Sequence, residues 1–513
     1  MKRQIVNIIN FVRGCEPRME MDLYTPVAEQ IKLINKYDLK STFLLMYDTL
    51  CDDRFIEILS HKNEKTELGV WLEIVEPQCA AAGVKWRGRP GYPWDYYANA
   101  GFTVAYGRED REKLTDALFE KFRERFGEYP RCIGSWATDA YTYEYISEKY
   151  GVDAACMCRD QWGTDGYTFW GGYYNQAYYP CKNNMFCPAQ TAGEQTDIPV
   201  FRMLGSDPIY QYDMGLDVNG SAAEWQGVAT LEPVYCGADG GGNPEWVDWY
   251  LDENFSGRCI SFGYTQAGQE NSFGWGAMQK GLTYQIQRIA ELCAGGKVEA
   301  LTLSETGAWF KKTFKQTPPS VVSALSDRHG KNRFSVWYDC KNYRADIFGE
   351  HDRFWIRDIF LFREGYKERY LDSVNDSISM TFDNLPVTDG NRFSGNGVRA
   401  GLYPFSDGEA LTYTERVYSE NESSVTMIFK GTQAGDFVIK ANEASLEFSA
   451  DRDFSLVNVS KNGEDEPKKT PYENGVEYEY RGFRYRVAVD GVVSDADTFI
   501  SNDKKLILYT DKE

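Results

Sequence analysis

The chain has 513 residues, with 56 Lys+Arg against 77 Asp+Glu, a formal net charge of −21, three histidines and 12 cysteines. At roughly 100–200 residues per domain this length predicts two or three domains, and the excess of acid repels polyanions, which disfavours a nucleic-acid or anionic-membrane partner. No run approaches the ~18 apolar residues of a membrane span, MKRQIVNIINFVRG lacks the apolar core of a signal peptide, and the scattered cysteines read as buried thiols, so the expected setting is cytoplasmic.

From residue 1 to 312, short apolar runs alternate with amphipathic segments. Residues 4–11 read as a strand, and Val27, Ile31, Leu33 and Ile34 place a helix over 24–37. Strands follow at 41–47 (STFLLMY) and 66–73 (TELGVWLE), then a long Trp/Tyr loop and the charged helix 108–126. Strands at 131–136 and 153–158 flank a helix over 142–150 that stops at Gly151. Runs at 198–204, 259–264 and 298–303 close the series, with a helix over 277–293 before the last. Such alternation implies parallel strands with crossover helices, and seven or eight of them imply a (β/α)7–8 barrel. Beyond Thr317-Pro318-Pro319 the runs become short, alternating and joined by Asn/Asp/Gly turns, which predicts an antiparallel β-sandwich over 320–513.

Aromatic residues make up 15% of the chain and cluster in Gly-rich polar segments such as 89–97 and 167–180. Flat rings beside Asp, Asn and Gln suit a sugar, whose C–H face stacks while its hydroxyls find polar partners; the competing reading is extra core beneath a barrel rim. Reactive groups of such barrels lie at the carboxyl ends of strands. There the sequence delivers Asp48, Glu73, Asp139, Asp160-Gln161, Asp207, Glu270 and Glu305. A ring of carboxyls supplies the protonated donor and the ionised partner that glycosidic cleavage needs. Taken singly, Asp139 reads equally well as a helix N-cap and Asp207 as a turn cap. Asp213, Asp217 and Asn219 faintly suggest a calcium loop, although a plain turn fits better without the EF-hand spacing. His61, His329 and His351 lie away from the strand ends, which argues against a histidine-ligated metal or a Ser-His-Asp triad, and no GxGxxG follows the first strand.

Residues 1–310 resemble the polysaccharide-deacetylase-like superfamily of seven-stranded barrels. KSTFLLMY (40–47) is similar to its "ATFF" strand, ELGVWLE (67–73) stands where deacetylases carry a metal-binding His pair, and residues 131–155 resemble the fourth-strand motif. Asn10, Phe11 and Arg13 replace the family's metal-ligating Asp-Asp. The resemblance is closer to the metal-free retaining α-glycosidases and glucanotransferases of the superfamily, which also append β-rich domains. It implies a nucleophile at Asp139, on Trp136-Ala137-Thr138-Asp139, and a general acid at Asp207, with Glu73 as second partner; the departures are an absent first-motif His and Asp in place of the commoner Glu.

The resulting expectation is a glycoside hydrolase acting on a small oligosaccharide or glycoside without metal or other cofactor. Arg13, Asp48, Trp71, Trp136, Asp160, Gln161, Asp165, Trp170, Glu270 and Glu305 are the expected substrate-holding residues. A carboxyl separation of about 5–5.5 Å implies retention, and about 6.5–9.5 Å implies inversion. The rival readings are a saccharide-binding barrel without turnover, a carbohydrate esterase or deacetylase with an unusual metal site, and a lyase or isomerase acting on a sugar acid through Arg13 and Arg202.

Overall fold

The structure, a computed structural model, describes residues 2–216 and 223–511. Asp217 and Asn219 lie outside the described residues. Asp213 is inside them, and its carboxylate faces Arg333, Arg357 and Arg399, which already neutralise it.

The first strand, Gln4–Val12, is buried along all nine residues because it is paired on both edges. Its lower half bonds in parallel to Gly263–Ala267 on one side and Glu299–Leu301 on the other, and its upper half to Ser41–Leu45. The sheet continues in parallel through Thr66–Trp71, Cys132–Ser135, Ala154–Met157 and Val200–Arg202, with Ala177–Tyr178 added antiparallel at the edge. It curls into a partial barrel. Among the described residues its outer strands share no ladder; Phe201 of the last parallel strand and Tyr264 of Gly263–Ala267 stand 5.2 Å apart.

The helices follow their sequence signals. Asp139 caps Ala140–Tyr150 by accepting from the Thr142 amide, and Gly151, at φ 63°, ends it in the left-handed region. Helix Arg108–Phe126 keeps the expected bounds, and Tyr24–Lys36 and Trp275–Ala294 lie within two residues of theirs. The run 259–264 moves: Ile260 sits in the core of the C-terminal sheets at φ 54°, and pairing starts only at Gly263. Helix Pro244–Asn254, capped by Asn243 and burying Trp246, Val247, Tyr250 and Leu251 on one face, is an addition to the expected elements.

The C-terminal region forms two antiparallel sheets of ten and eight strands that share one core. Alternation is plain in Val425–Thr432, where Val425, Met427 and Phe429 point inward, and Phe429 stacks on Phe354 of the facing sheet at 3.7 Å. The join to the barrel is polar as well as apolar. Asp160, beyond the fifth barrel strand, bridges Arg202 and Arg344, and Arg344 pairs with Asp358 at 2.9 Å, all buried. Residues 362–382 also return to the barrel core through Phe362, Tyr370, Leu371, Met380 and Phe382. Met380–Asp383 then adds a parallel strand to the rim hairpin formed by Gln161–Thr164 and Tyr167–Trp170.

Candidate active site

Arg13 leaves the first strand with its backbone N–H donating to Asn271 Oδ1 at 2.9 Å, which fixes where its side chain points. The guanidinium meets two carboxylates: Nη2 lies 3.0 Å from Glu270 Oε2 and Nη1 lies 3.4 Å from Glu73 Oε2. It also stacks 3.9 Å over Trp94, whose indole N–H donates to Glu73 at 2.8 Å. Trp94 comes from the long loop after the third strand and is held by a bridge to Val75. Burial pushes the Glu73 carboxyl up and Arg13 opposes the shift. Both Arg13 contacts to Glu270 fall on Oε2, leaving Oε1 without a partner among the described residues.

Beside this cluster a cavity of about 470 Å³ opens at the carboxyl ends of the parallel strands. Trp94, Tyr96, Trp136, Tyr167 and Tyr235 wall it, and Glu232, Glu270 and Asp165 supply acid. Trp136 is set by packing, edge-on to both Phe11 and Trp71, which stack on each other at 4.0 Å. Glu232 lies outside any helix or strand, between Val200–Arg202 and helix Pro244–Asn254. Thr230 Oγ1 donates to its carboxyl at 2.9 Å, and the preceding Leu231 amide bonds to Leu204 O. Leu204, also on the cavity wall, holds φ 83°, a conformation that costs a branched residue on the order of 1–3 kcal/mol. Burial pushes the Glu232 carboxyl up to about 7; Arg159 opposes and Glu270 adds to the shift. A carboxyl whose proton affinity burial raises in this way is suited to give a proton to a leaving oxygen.

The residues expected from sequence divide sharply. Arg13, Trp136, Gln161, Asp165 and Glu270 line the cavity, and Glu73 touches it through Arg13 and Trp94. Asp139 does not line it. Its carboxylate is 0% exposed and accepts from Arg111, Thr103 and both the amide and hydroxyl of Thr142. Asp207 is equally buried, accepting from the Ile209 and Tyr210 amides and the Trp246 indole, and burial pushes it up to about 6. Asp48, half-buried and outside the cavity lining, lies against Gly14, where a Cβ would stand 2.7 Å from its carboxyl carbon, and Trp71 is core. Asp160 belongs to the buried arginine bridge, and Trp170 donates to Asp389 in a separate hollow. Glu305 is furthest from expectation: it closes the capping box of helix Leu303–Thr313 and pairs with Lys40, which precedes the second strand, at the opposite face of the sheet. The aromatic run 167–180 is mostly core, as its competing reading held, whereas 89–97 contributes Trp94 and Tyr96 to the cavity.

No protein-family model matches the chain, and no curated protein matches its sequence. Solved structures do match its shape. A Parabacteroides distasonis protein provisionally assigned as a glycoside hydrolase/deacetylase aligns over 75% of this chain and 90% of its own, at 14% identity and a TM-score of 0.54. The fold is that of the deacetylase-like barrels. More distant barrels of this kind include a Mycobacterium smegmatis protein provisionally assigned as a polysaccharide deacetylase (13% identity, 61% of this chain, 92% of that one, TM-score 0.37). A GH57-type branching enzyme from Pyrococcus horikoshii aligns at 11% identity over 62% of this chain and 72% of its own, with a TM-score of 0.32.

The resemblance seen in the sequence implies a metal near the first and third strand ends. Here a guanidinium stands at that place, with Arg13 reaching Glu73 and Glu270, so a second cation would meet an arginine already occupying the carboxylates. Among the described residues no group of three or more His, Cys, Asp or Glu side chains is placed to hold a metal ion. The residues present at this place therefore do not fit that metal.

Proposed function

We propose that the chain is a carbohydrate-active enzyme that hydrolyses a glycosidic bond in the cavity, with Glu232 donating the proton and Glu270 as the anionic partner. One observation carries this reading: a carboxyl whose proton affinity burial raises to about 7 lines the same aromatic hollow as a second carboxyl with a free oxygen. The aromatic walls offer stacking faces to a pyranose, and Arg13 keeps Glu270 oriented. Glu73, one residue pair removed, takes the role of tuning Arg13. The carboxylates that the resemblance assigns, Asp139 and Asp207, become structural supports in this proposal.

The test is a screen of aryl glycosides and short oligosaccharides with the purified chain in the presence of a chelator. Glu232→Gln is expected to lower kcat by about 10²–10⁴-fold while sugar binding persists. Unchanged turnover in that variant refutes the assignment. Proton NMR of the first anomer released then separates direct attack by Glu270 from attack by an activated water.

A saccharide-binding barrel without turnover is the second reading, favoured by how many rim carboxylates arginines already engage: Asp139 by Arg111, Asp160 by Arg202 and Arg344, Glu270 by Arg13. Sugar binding with no turnover of any glycoside decides for it.

A further inference from the structure

Arg159 follows the fifth barrel strand and lines the cavity, yet it is only 1% exposed. A buried cation is costly unless a counter-charge meets it. The other two arginines of the cavity have theirs: Arg13 has Glu270 and Glu73, and Arg18 has Glu16. Arg159 has none; among the described residues no carboxylate lies within ion-pair distance of it. Among the described residues its side chain makes one hydrogen bond, from Nη1 to the Asp160 carbonyl at 2.7 Å, and its buried Nε has no acceptor.

Glu232, across the same hollow, does not fill that role. It acts on Arg159 only through space, and its side-chain contacts go to Thr230 Oγ1 and Gln269. A guanidinium placed merely to hold Glu232 ionised would touch it. The arrangement is instead a guanidinium on the wall of an aromatic-lined space, with no carboxylate of the described residues in contact with it.

We propose that Arg159 is a specificity residue that receives the carboxylate of an acidic saccharide, so that the substrate class is a uronic-acid-containing glycoside rather than a neutral one. The proposal deepens the saccharide reading above and rests on it. A guanidinium matches a carboxylate in two parallel N–H···O bonds, and the stacking rings hold the pyranose that carries it. The chain's net charge of −21 sets a long-range repulsion against such a ligand, so association is expected to quicken as moderate salt screens it, opposite to the usual trend for a bare ion pair.

The experiment measures binding by titration calorimetry of the full chain with short galacturonate and glucuronate oligosaccharides, their neutral galactose and glucose counterparts, and a sulfated oligosaccharide. Acidic sugars are expected to bind at least tenfold more tightly than neutral ones. Arg159→Gln is expected to remove about 10- to 100-fold of that affinity and leave neutral sugars within about twofold, and Arg159→Lys to retain part of it. Circular dichroism melting confirms that both variants are folded. Neutral sugars bound equally well, with Arg159→Gln silent, overturn the proposal while the saccharide reading stands. A preference for the sulfated sugar overturns the carboxylate class. No binding or cleavage of any saccharide overturns the saccharide reading and this proposal with it.

Discussion

Replacing Asp139 by Asn separates a structural carboxylate from a reacting one. In the native chain Oδ1 accepts from Arg111 at 2.7 Å and from the Thr142 amide at 2.9 Å, while Oδ2 accepts from Thr103 at 2.6 Å and the Thr142 hydroxyl at 2.7 Å. The amide keeps the shape and the helix cap, because its oxygen still accepts from Thr142. What it removes is charge. Arg111, 2% exposed, is left with three carbonyl acceptors, Tyr106, Tyr370 and Ser373, and, among the described residues, no carboxylate in ion-pair contact, Glu368 acting on it only through space. Breaking one side of a buried ion pair costs about 3–5 kcal/mol, which at an m-value of about 1–3 kcal/mol/M moves the urea midpoint down by about 1–5 M. The double variant Arg111→Met, Asp139→Asn removes the orphaned cation and is expected to recover at least about 2 kcal/mol, a coupling that a double-mutant cycle reads directly. Activity per folded molecule is expected to stay within about tenfold of the native chain. A variant with an unshifted midpoint and kcat reduced by about 10³ or more refutes the structural role and returns Asp139 to the reaction.

Other outcomes follow from the same geometry. Arg344→Ala leaves Asp160 and Asp358 buried without their bridge, and a loss of about 3–5 kcal/mol is expected in urea unfolding; a loss below about 1 kcal/mol shows that the bridge is dispensable. Burial raises Asp207 to about 6, Glu232 to about 7 and Glu368 to about 8, so the folded chain holds protons that the unfolded chain releases. The stability these groups contribute is full below the unfolded carboxyl range and lost as pH rises towards 8; each tenfold difference in proton affinity between the folded and unfolded chain is worth about 1.4 kcal/mol, and a stability profile flat from pH 5 to 8 contradicts the burial argument. For the same reason kcat is expected to fall as pH rises through about 7, when Glu232 gives up its proton, and a rate that climbs through that range excludes it as the donor. Glu305→Gln, at the far face of the sheet, is expected to cost under about 1 kcal/mol and to leave turnover unchanged.

The barrel was legible because its signal is periodic. Strand runs such as Ser41–Leu45 and helices such as Arg108–Phe126 carry apolar spacing that few other structures satisfy, and the sandwich strands alternate cleanly. Strand ends were less so, because Ile260 follows the neighbouring core rather than its own run. Of the site, Arg13 and Glu270 were visible as polar residues just past apolar strands. Glu232 was not: it sits in a segment without regular structure, and its proximity to Arg159 is created by chain reversal across some seventy residues. The carboxylates Asp139 and Asp207 illustrate the converse. Their position after a strand is a site signal, their neighbours' amides are a capping signal, and only coordinates tell which one the side chain obeys.

The parallel pairing of Met380–Asp383 with Tyr167–Trp170 bears on how the molecule is made. During synthesis the first three hundred residues leave the ribosome well before the strand that completes their rim hairpin. Until residues 362–383 emerge, the hairpin keeps a bare edge, and Ala140 and Met185 lack the Glu368 carboxyl that their amides meet in the finished chain. The nascent barrel thus waits, one edge open, for a late-arriving segment, which makes the interval a natural point for a chaperone to act and a poor place to end a truncated gene.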